Sequence, residues 1–336
     1  MSAIQPCPAD HPSVWKAADI GGREGLTHRL GRAHLMAIRD LGDAIRGMPV
    51  AEIKRDSFHS PALADLMAAA RDVVLNGRGA VILSGLDVEG LPLEDFERIY
   101  WYLGTYLGNG VIQSGKHDLV GRVRHETDSR ARGYTTDVEL RPHTDYHEIL
   151  SLACYQKASE GGESGLASAL AVHNILLEER PDLLETLYAG YYNGIPYRFG
   201  VNDSPHSQRK VPFYSSTDGK VSVFTLSFPR DAAAQRGEAV PEKLIEADTA
   251  MREIARREDI QARFMLEPGE MVFWNNRINF HARSRFTNVP GHERLLLRLW
   301  IDVPNGRPVH PEVAAAAEMV VRYHKLGMDH RDRPAG

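Results

Sequence analysis

The sequence predicts a mainly β fold with flanking helices: a double-sheet jelly roll that carries its helices on the outside. Three observations predict it. From about Gly110 the chain breaks into short β-rich segments separated by turn residues. Before that point, apolar residues recur at helical spacing on either side of one buried-strand pattern. Within the β-rich part, helical inserts interrupt the strands with no linker and no internal repeat, so one domain is expected over all 336 residues.

The first 28 residues read as an extended arm. From Arg29 to Met48, Leu30, Ala33, Leu35, Ile38, Leu41 and Ile45 recur at three and four, which predicts a helix. Ser60-Pro61, a cap followed by proline at the first helical position, starts a second helix that stops near Gly77. Gly79 to Gly85 is a short apolar run between glycines, hence a buried strand. Leu93 to Leu107 returns to helix, with Phe96, Tyr100, Leu103 and Leu107 on one stripe.

Beyond Gly110, Glu148 to Lys157 reads as a strand that stops at Gly161-Gly162. Val211–Ser216 and Val221–Ser227 flank Thr217-Asp218-Gly219, a hairpin signal. Met265–Leu266 and Met271–Trp274 flank the turn Glu267-Pro268-Gly269-Glu270. Leu295 to Val303 is the last core strand, and the helical inserts are Ala171–Tyr188 and Pro241–Arg257. Residues 1–78 are therefore expected as arm and helices, 79–303 as the jelly-roll core, and 304–336 as a helical tail.

Composition narrows the partners. The net charge is −5 and no basic run is long, which argues against nucleic acid and anionic membranes. No apolar run approaches the roughly 20 residues of a membrane span. The N-terminus lacks the charged-then-apolar order of a signal peptide, and only Cys7 and Cys154 occur. A cytoplasmic protein acting on a small molecule is the expectation; homo-oligomerisation stays open.

His143-Thr144-Asp145, followed far downstream by His281 and Arg294, carries the chemistry. His-x-Asp alone is an ordinary surface turn. On a strand, however, residues two apart share a face, so both side chains point the same way. Two imidazoles and one carboxylate can cap one face of an octahedral metal and leave three positions open, the facial triad of non-heme Fe(II) oxygenases. His147, four residues after His143, would suit a zinc helix, but Pro142 precedes and apolar alternation follows, so a strand end is expected and His147 falls beyond ligand reach. Arg294, Leu296 and Arg298 alternate onto one face of the last strand. Two arginines in so apolar a setting need anions. Structural salt bridges would satisfy them; so would a dicarboxylate held by the planar guanidinium fork. Thr135, Thr136, Tyr146, His147, Tyr192, Tyr197 and Arg230 are further candidates for the pocket wall.

From about Gly79 to Val303 the chain resembles the taurine dioxygenase (TauD/TfdA-like) family of Fe(II)/2-oxoglutarate-dependent oxygenases. The matching parts are His143-Thr144-Asp145, Gly161-Gly162-Glu163-Ser164, Pro268-Gly269-Glu270, Asn276 to Arg283, and Arg294 to Trp300. The resemblance implies a double-stranded β-helix, a clavaminate synthase-like jelly roll. It implies Fe(2+) on His143, Asp145 and His281, with 2-oxoglutarate and O2 as co-substrates. It places the 2-oxoglutarate carboxylate on Arg294 and on Ser164, where the family usually has Thr. Arg298 matches the second family arginine, which faces a substrate anion. The reaction implied is oxidation at a C–H bond, with release of succinate and CO2. Aspartate at position 145 leaves no room for halide, so halogenation is not expected. A non-redox metal enzyme, or a catalytically silent 2-oxoglutarate-binding protein on the same barrel, is the alternative.

Overall fold

The computed structural model describes residues 6–125, 136–194 and 206–327. Thr135, Tyr197 and the end of the helical tail, residues 328–336, lie outside them. In chain order the arm carries α1 (Ala17–Ile20) and β1 (Thr27–Arg29), followed by α2 (Arg32–Ala44), α3 (Pro61–Leu75), β2 (Ala80–Ser84) and α4 (Leu93–Gly104). Then come β3 (Asn109–Gly110), β4 (Gly121–Arg124), β5 (Leu140–His143), β6 (Ile149–Gln156), β7 (Glu160–Gly161) and β8 (Ser164–Ser168). The first insert is α5 (Ala169–Glu179) and α6 (Pro181–Ala189); the hairpin β9 (Tyr214–Thr217) and β10 (Lys220–Val223) follows. The second insert is α7 (Pro229–Arg236) and α8 (Glu242–Arg256). The chain closes with β11 (Gln261–Phe264), β12 (Met271–Asn275), β13 (Asn279–Arg283), β14 (Phe286–Thr287), β15 (Leu295–Asp302) and α9 (Pro311–Lys325).

Two sheets face each other. The larger runs β1-β2-β12-β6-β15-β3, with β4 also paired to β15, and the smaller runs β11-β8-β13-β5. Alternation along each strand sorts the side chains into layers. From β2, Ile82 turns inward with Val272, Leu150, Leu296 and Trp300, meeting Leu166 and Phe264 of the smaller sheet. Val81 and Leu83 turn outward with Phe273 and Leu299 and bury against α2, α3 and α4. The outer face of the smaller sheet, with Ala167 and Phe280, packs on α5, α6 and α8. The result is helix, sheet, sheet, helix, and the space between the sheets is where polar side chains collect.

Most elements lie where the sequence puts them, and the departures have local causes. Ser60 caps α3 by accepting the Leu63 amide at 3.4 Å, with Pro61 in the first turn. Residues 27–29, at the end of the extended arm, form β1 parallel to β2 and cover its edge, so the helix expected from Arg29 starts at Arg32. The first insert breaks at Arg180-Pro181, since proline cannot continue a helix. Asp218 and Gly219 adopt positive φ (51° and 74°), the two-residue turn that matches strand twist. The Glu267–Glu270 turn does not join a hairpin: β11 belongs to the smaller sheet and β12 to the larger, so the turn carries the chain between them. Its Glu270 is buried and bonded to Arg23 at 2.5 Å and to Ser84 at 2.7 Å. The helix α7 was not expected, although Pro229 at its start and Gly237 in a left-handed cap at its end bracket it in the sequence.

A candidate metal centre between the sheets

The antiparallel pairing of β13 with β5 sets His281 opposite His143 as Cα partners. Their ring centroids are 4.1 Å apart. β5 ends at His143, and Asp145 follows two residues later in irregular chain, half-buried and turned toward the same point. One ligand atom from each of the three residues lies within 4.8 Å of the others.

Irregular backbone holds a ligand only if something fixes it, and here the next strand turn does. Asn276, fully buried, receives the Asp145 amide on its Oδ1 at 3.2 Å and donates its Nδ2 to the carbonyls of Asp145 (2.6 Å) and His147 (3.0 Å). Its own amide donates to Glu148 O at 2.7 Å. The Arg277 guanidinium takes the Tyr146 carbonyl. On the other side Thr144 and Thr225 exchange amide-to-hydroxyl bonds of 2.9 and 2.8 Å. The segment after β5 is thus clamped at consecutive residues.

The electrostatics suit a cation. His143 Nδ1 lies 2.8 Å from the Arg141 carbonyl, which can only accept, so Nδ1 carries the proton and Nε2 keeps its lone pair. Burial pushes the His143 imidazole down, and pushes His281 down to about 3 with help from the neighbouring His143, so both rings are neutral near pH 7. Burial alone would raise the Asp145 carboxyl; the adjoining imidazoles of His281 and His143, the Arg298 guanidinium and the indole N–H of Trp300 outweigh it and hold it down. The buried Nδ1 of His281 has no hydrogen-bond partner among the described residues. A neutral imidazole pair beside a carboxylate, with one orphaned nitrogen, fits a divalent metal.

These groups open into a cavity of about 890 Å3 that also takes in Ser164, Arg294 and Arg298. Arg294 is 3% exposed, its Nη1 has no hydrogen-bond partner, and no ion pair holds it among the described residues. Burial, and then the charge of Arg283, push its guanidinium down to about 10, the mark of a cation lacking a counter-ion. Gly162, at φ +80°, lies beside it: a Cβ there would stand 3.3 Å from Arg294 Nε and 3.3 Å from the Phe286 Cβ. Arg298 also points into the cavity, its Nε donating to Gln113 Oε1 at 2.8 Å.

The expected pocket wall is partly corrected. Arg230 lines the cavity. His147 is fully buried elsewhere, its Nδ1 on Asp302 at 2.9 Å and its ring 5.1 Å from Trp300. Tyr146 packs on Phe224, Tyr192 under the Arg236 guanidinium, and the Thr136 carbonyl accepts from Arg283. Sequence reasoning missed Asp248 and Arg252 of α8, which line the rim as an ion pair at 2.9 Å. It also missed Asn276 and Thr225, whose role is visible only once the turns meet in space.

Residues 38–300 match the family model described as Taurine catabolism dioxygenase TauD, TfdA family. The chain belongs to this family. As a TauD/TfdA family member it is 29% identical over 318 residues to FR-33289 synthase of Streptomyces rubellomurinus, covering 91% of this chain and 94% of that one. It is 26% identical over 309 residues to the taurine hydroxylase-like protein SAT17 of Stachybotrys chartarum, covering 85% and 77%. Among solved structures it resembles asparagine oxygenase in complex with Fe(II), 2S,3S-3-hydroxyasparagine and succinate (TM-score 0.64, 17% identity, 82% and 93% covered). It also resembles the non-heme iron oxygenase OrfP in complex with Fe and alpha-ketoglutaric acid (TM-score 0.59, 14% identity, 83% and 94% covered). This TauD/TfdA chain therefore has the double-stranded β-helix expected of it, and is an oxygenase.

Proposed function

We propose that this oxygenase holds Fe(II) on His143, Asp145 and His281 and 2-oxoglutarate on Arg294 and Ser164, and hydroxylates a C–H bond of a small to medium organic anion. The observation that carries the reading is the buried Arg294 guanidinium in the cavity that the triad faces, its Nη1 without a partner among the described residues. A non-redox metal enzyme would have no use for it. The iron in asparagine oxygenase and the iron and alpha-ketoglutaric acid in OrfP support the same reading.

When bound, the metal and co-substrate supply the oxidative chemistry: O2 and 2-oxoglutarate are consumed, succinate and CO2 leave, and one oxygen atom ends on the substrate. The chain supplies the rest. Neutral His143 and His281 offer lone pairs without first losing protons. Arg294 and the Ser164 hydroxyl fix the distal carboxylate of 2-oxoglutarate and so its orientation. Trp274, its ring 5.1 Å from His281, and Leu150 wall the centre from water.

The anion preference rests on charge. Six arginines and four carboxylates line the cavity, and a dication with a dianionic co-substrate leaves that surplus intact. Arg298 is the guanidinium that faces the substrate anion in this reading. The two cysteines, Cys7 exposed and Cys154 buried, are both free, which suits a reducing cytoplasm. A library of small anions, scored by succinate release with Fe(II), 2-oxoglutarate and O2, tests the function. Succinate formation coupled to one anion class supports it. Succinate formation stimulated only by cationic or neutral compounds overturns the anion preference, and none under any condition overturns the reaction.

A further inference from the structure

The Asp145 main chain is clamped by Asn276, but that clamp leaves the carboxylate free to turn about its own side-chain bonds. A carboxylate that turns can present either oxygen, or both, to a cation. The indole Nε1 of Trp300 meets it, donating to Asp145 Oδ2 at 3.1 Å. We propose that Trp300 is a positioning residue that ties one oxygen of Asp145 to the protein and so reserves the other for metal; the proposal rests on the reading of Asp145 as a metal ligand.

The partners are chemically matched. An indole N–H only donates and an ionised carboxylate only accepts, so the bond is strongest while Asp145 is charged, the form that binds a cation. Trp300 is itself held from several directions. It lies on the inner face of β15 and is 5% exposed. The His147 ring packs against it at 5.1 Å, and the His324 ring stacks at 6.2 Å with 14° between planes. His147 is anchored in turn by Asp302. The Arg298 guanidinium lies 4.4 Å from the Trp300 ring centre. A cation over the π face draws electron density from the ring and makes its N–H a stronger donor. Arg298 is fixed by Gln113, which accepts from its Nε at 2.8 Å and donates to its carbonyl at 2.6 Å. Gln113, Arg298, Trp300 and Asp145 thus form one chain of contacts ending on the carboxylate.

A packing role alone would need only the ring. Trp300→Phe keeps most of the ring and removes the donor. Co(II), added alone to metal-free protein and followed by titration, reads the difference without turnover. Groups that orient a metal ligand typically contribute about 10- to 100-fold in affinity. Trp300→Phe is therefore expected to weaken Co(II) binding by about 10-fold or more in the native background. With Asp145→Ala already present, it is expected to do nothing, because no carboxylate remains to be held. Native affinity in Trp300→Phe, or the same loss in both backgrounds, overturns the proposal. Unchanged Co(II) binding in Asp145→Ala overturns the metal-site reading and this proposal with it. If Trp300→Phe does not fold, the four tryptophans of the chain still give a readout. The Trp300 indole N–H resonance is expected to move upfield in metal-free Asp145→Ala; four unmoved indole resonances overturn the proposal.

Discussion

His143 and His281 are direct Cα partners across β5 and β13, so two candidate ligands far apart in sequence are brought together by one register of one strand pair. A shift of that pairing by one residue would turn one imidazole to the opposite face. Their rings, 4.1 Å between centroids, share the same end of the cavity as Asp145. Replacing His143, Asp145 or His281 with Ala is expected to abolish turnover while the circular dichroism spectrum stays native. Undiminished 2-oxoglutarate turnover in His281→Ala would sink the assignment.

Arg294 is expected to recognise the distal carboxylate of 2-oxoglutarate. The dicarboxylate should raise the melting temperature of the metal-loaded protein more than 2-oxobutyrate, which lacks that group. Arg294→Lys keeps the charge, loses the planar fork, and should raise the 2-oxoglutarate KM markedly. Ser164→Ala removes one bond to a charged group and should cost on the order of 1–3 kcal/mol of co-substrate binding. An equal response to both keto acids, or an unchanged KM in both variants, would count against this role.

Asn276 is expected to be the costliest polar residue of the loop to lose. Asn276→Ala strands the Asp145 amide and the carbonyls of Asp145 and His147 in a buried setting. Each orphaned group costs on the order of 1–3 kcal/mol unless water replaces the side chain. Urea unfolding should register the loss. A midpoint like that of the parent protein would show that the clamp contributes little.

Arg298 faces the same cavity as the triad, and its neutralisation should separate the two ligands. In Arg298→Gln the substrate KM is expected to rise much more than the 2-oxoglutarate KM. Equal changes in both, or a variant that is merely less stable, would assign Arg298 to the frame of the site.

The strands, the candidate triad His143, Asp145 and His281, and the buried Arg294 each leave a local mark in the sequence. Ile82 and Val81 alternate between two cores, and His143 and Asp145 stand two apart at a strand end. What local pattern does not carry is which turns meet. The Glu267–Glu270 segment reads as a turn, but spacing says nothing about which sheet each of its flanks joins. Arg29 reads as the start of the helix because leucine and alanine spacing follows, whereas an open strand edge takes it into β1. Thr225 and Asn276 look like ordinary loop residues until the Thr144–Glu148 backbone is laid against them. His147 keeps the helical spacing of a ligand pair, yet its ring is taken by Asp302 and Trp300.

The central claim is that the triad and Arg294 together hold Fe(II) chelated by 2-oxoglutarate. Anaerobic addition of Fe(II) and then 2-oxoglutarate to the metal-free protein measures it directly, through the weak lilac charge-transfer band of such a chelate. The band should appear with the native protein, need both additions, and be lost in His281→Ala. Its absence from the native protein at saturating Fe(II) and 2-oxoglutarate, or its full persistence in His281→Ala, would contradict the account.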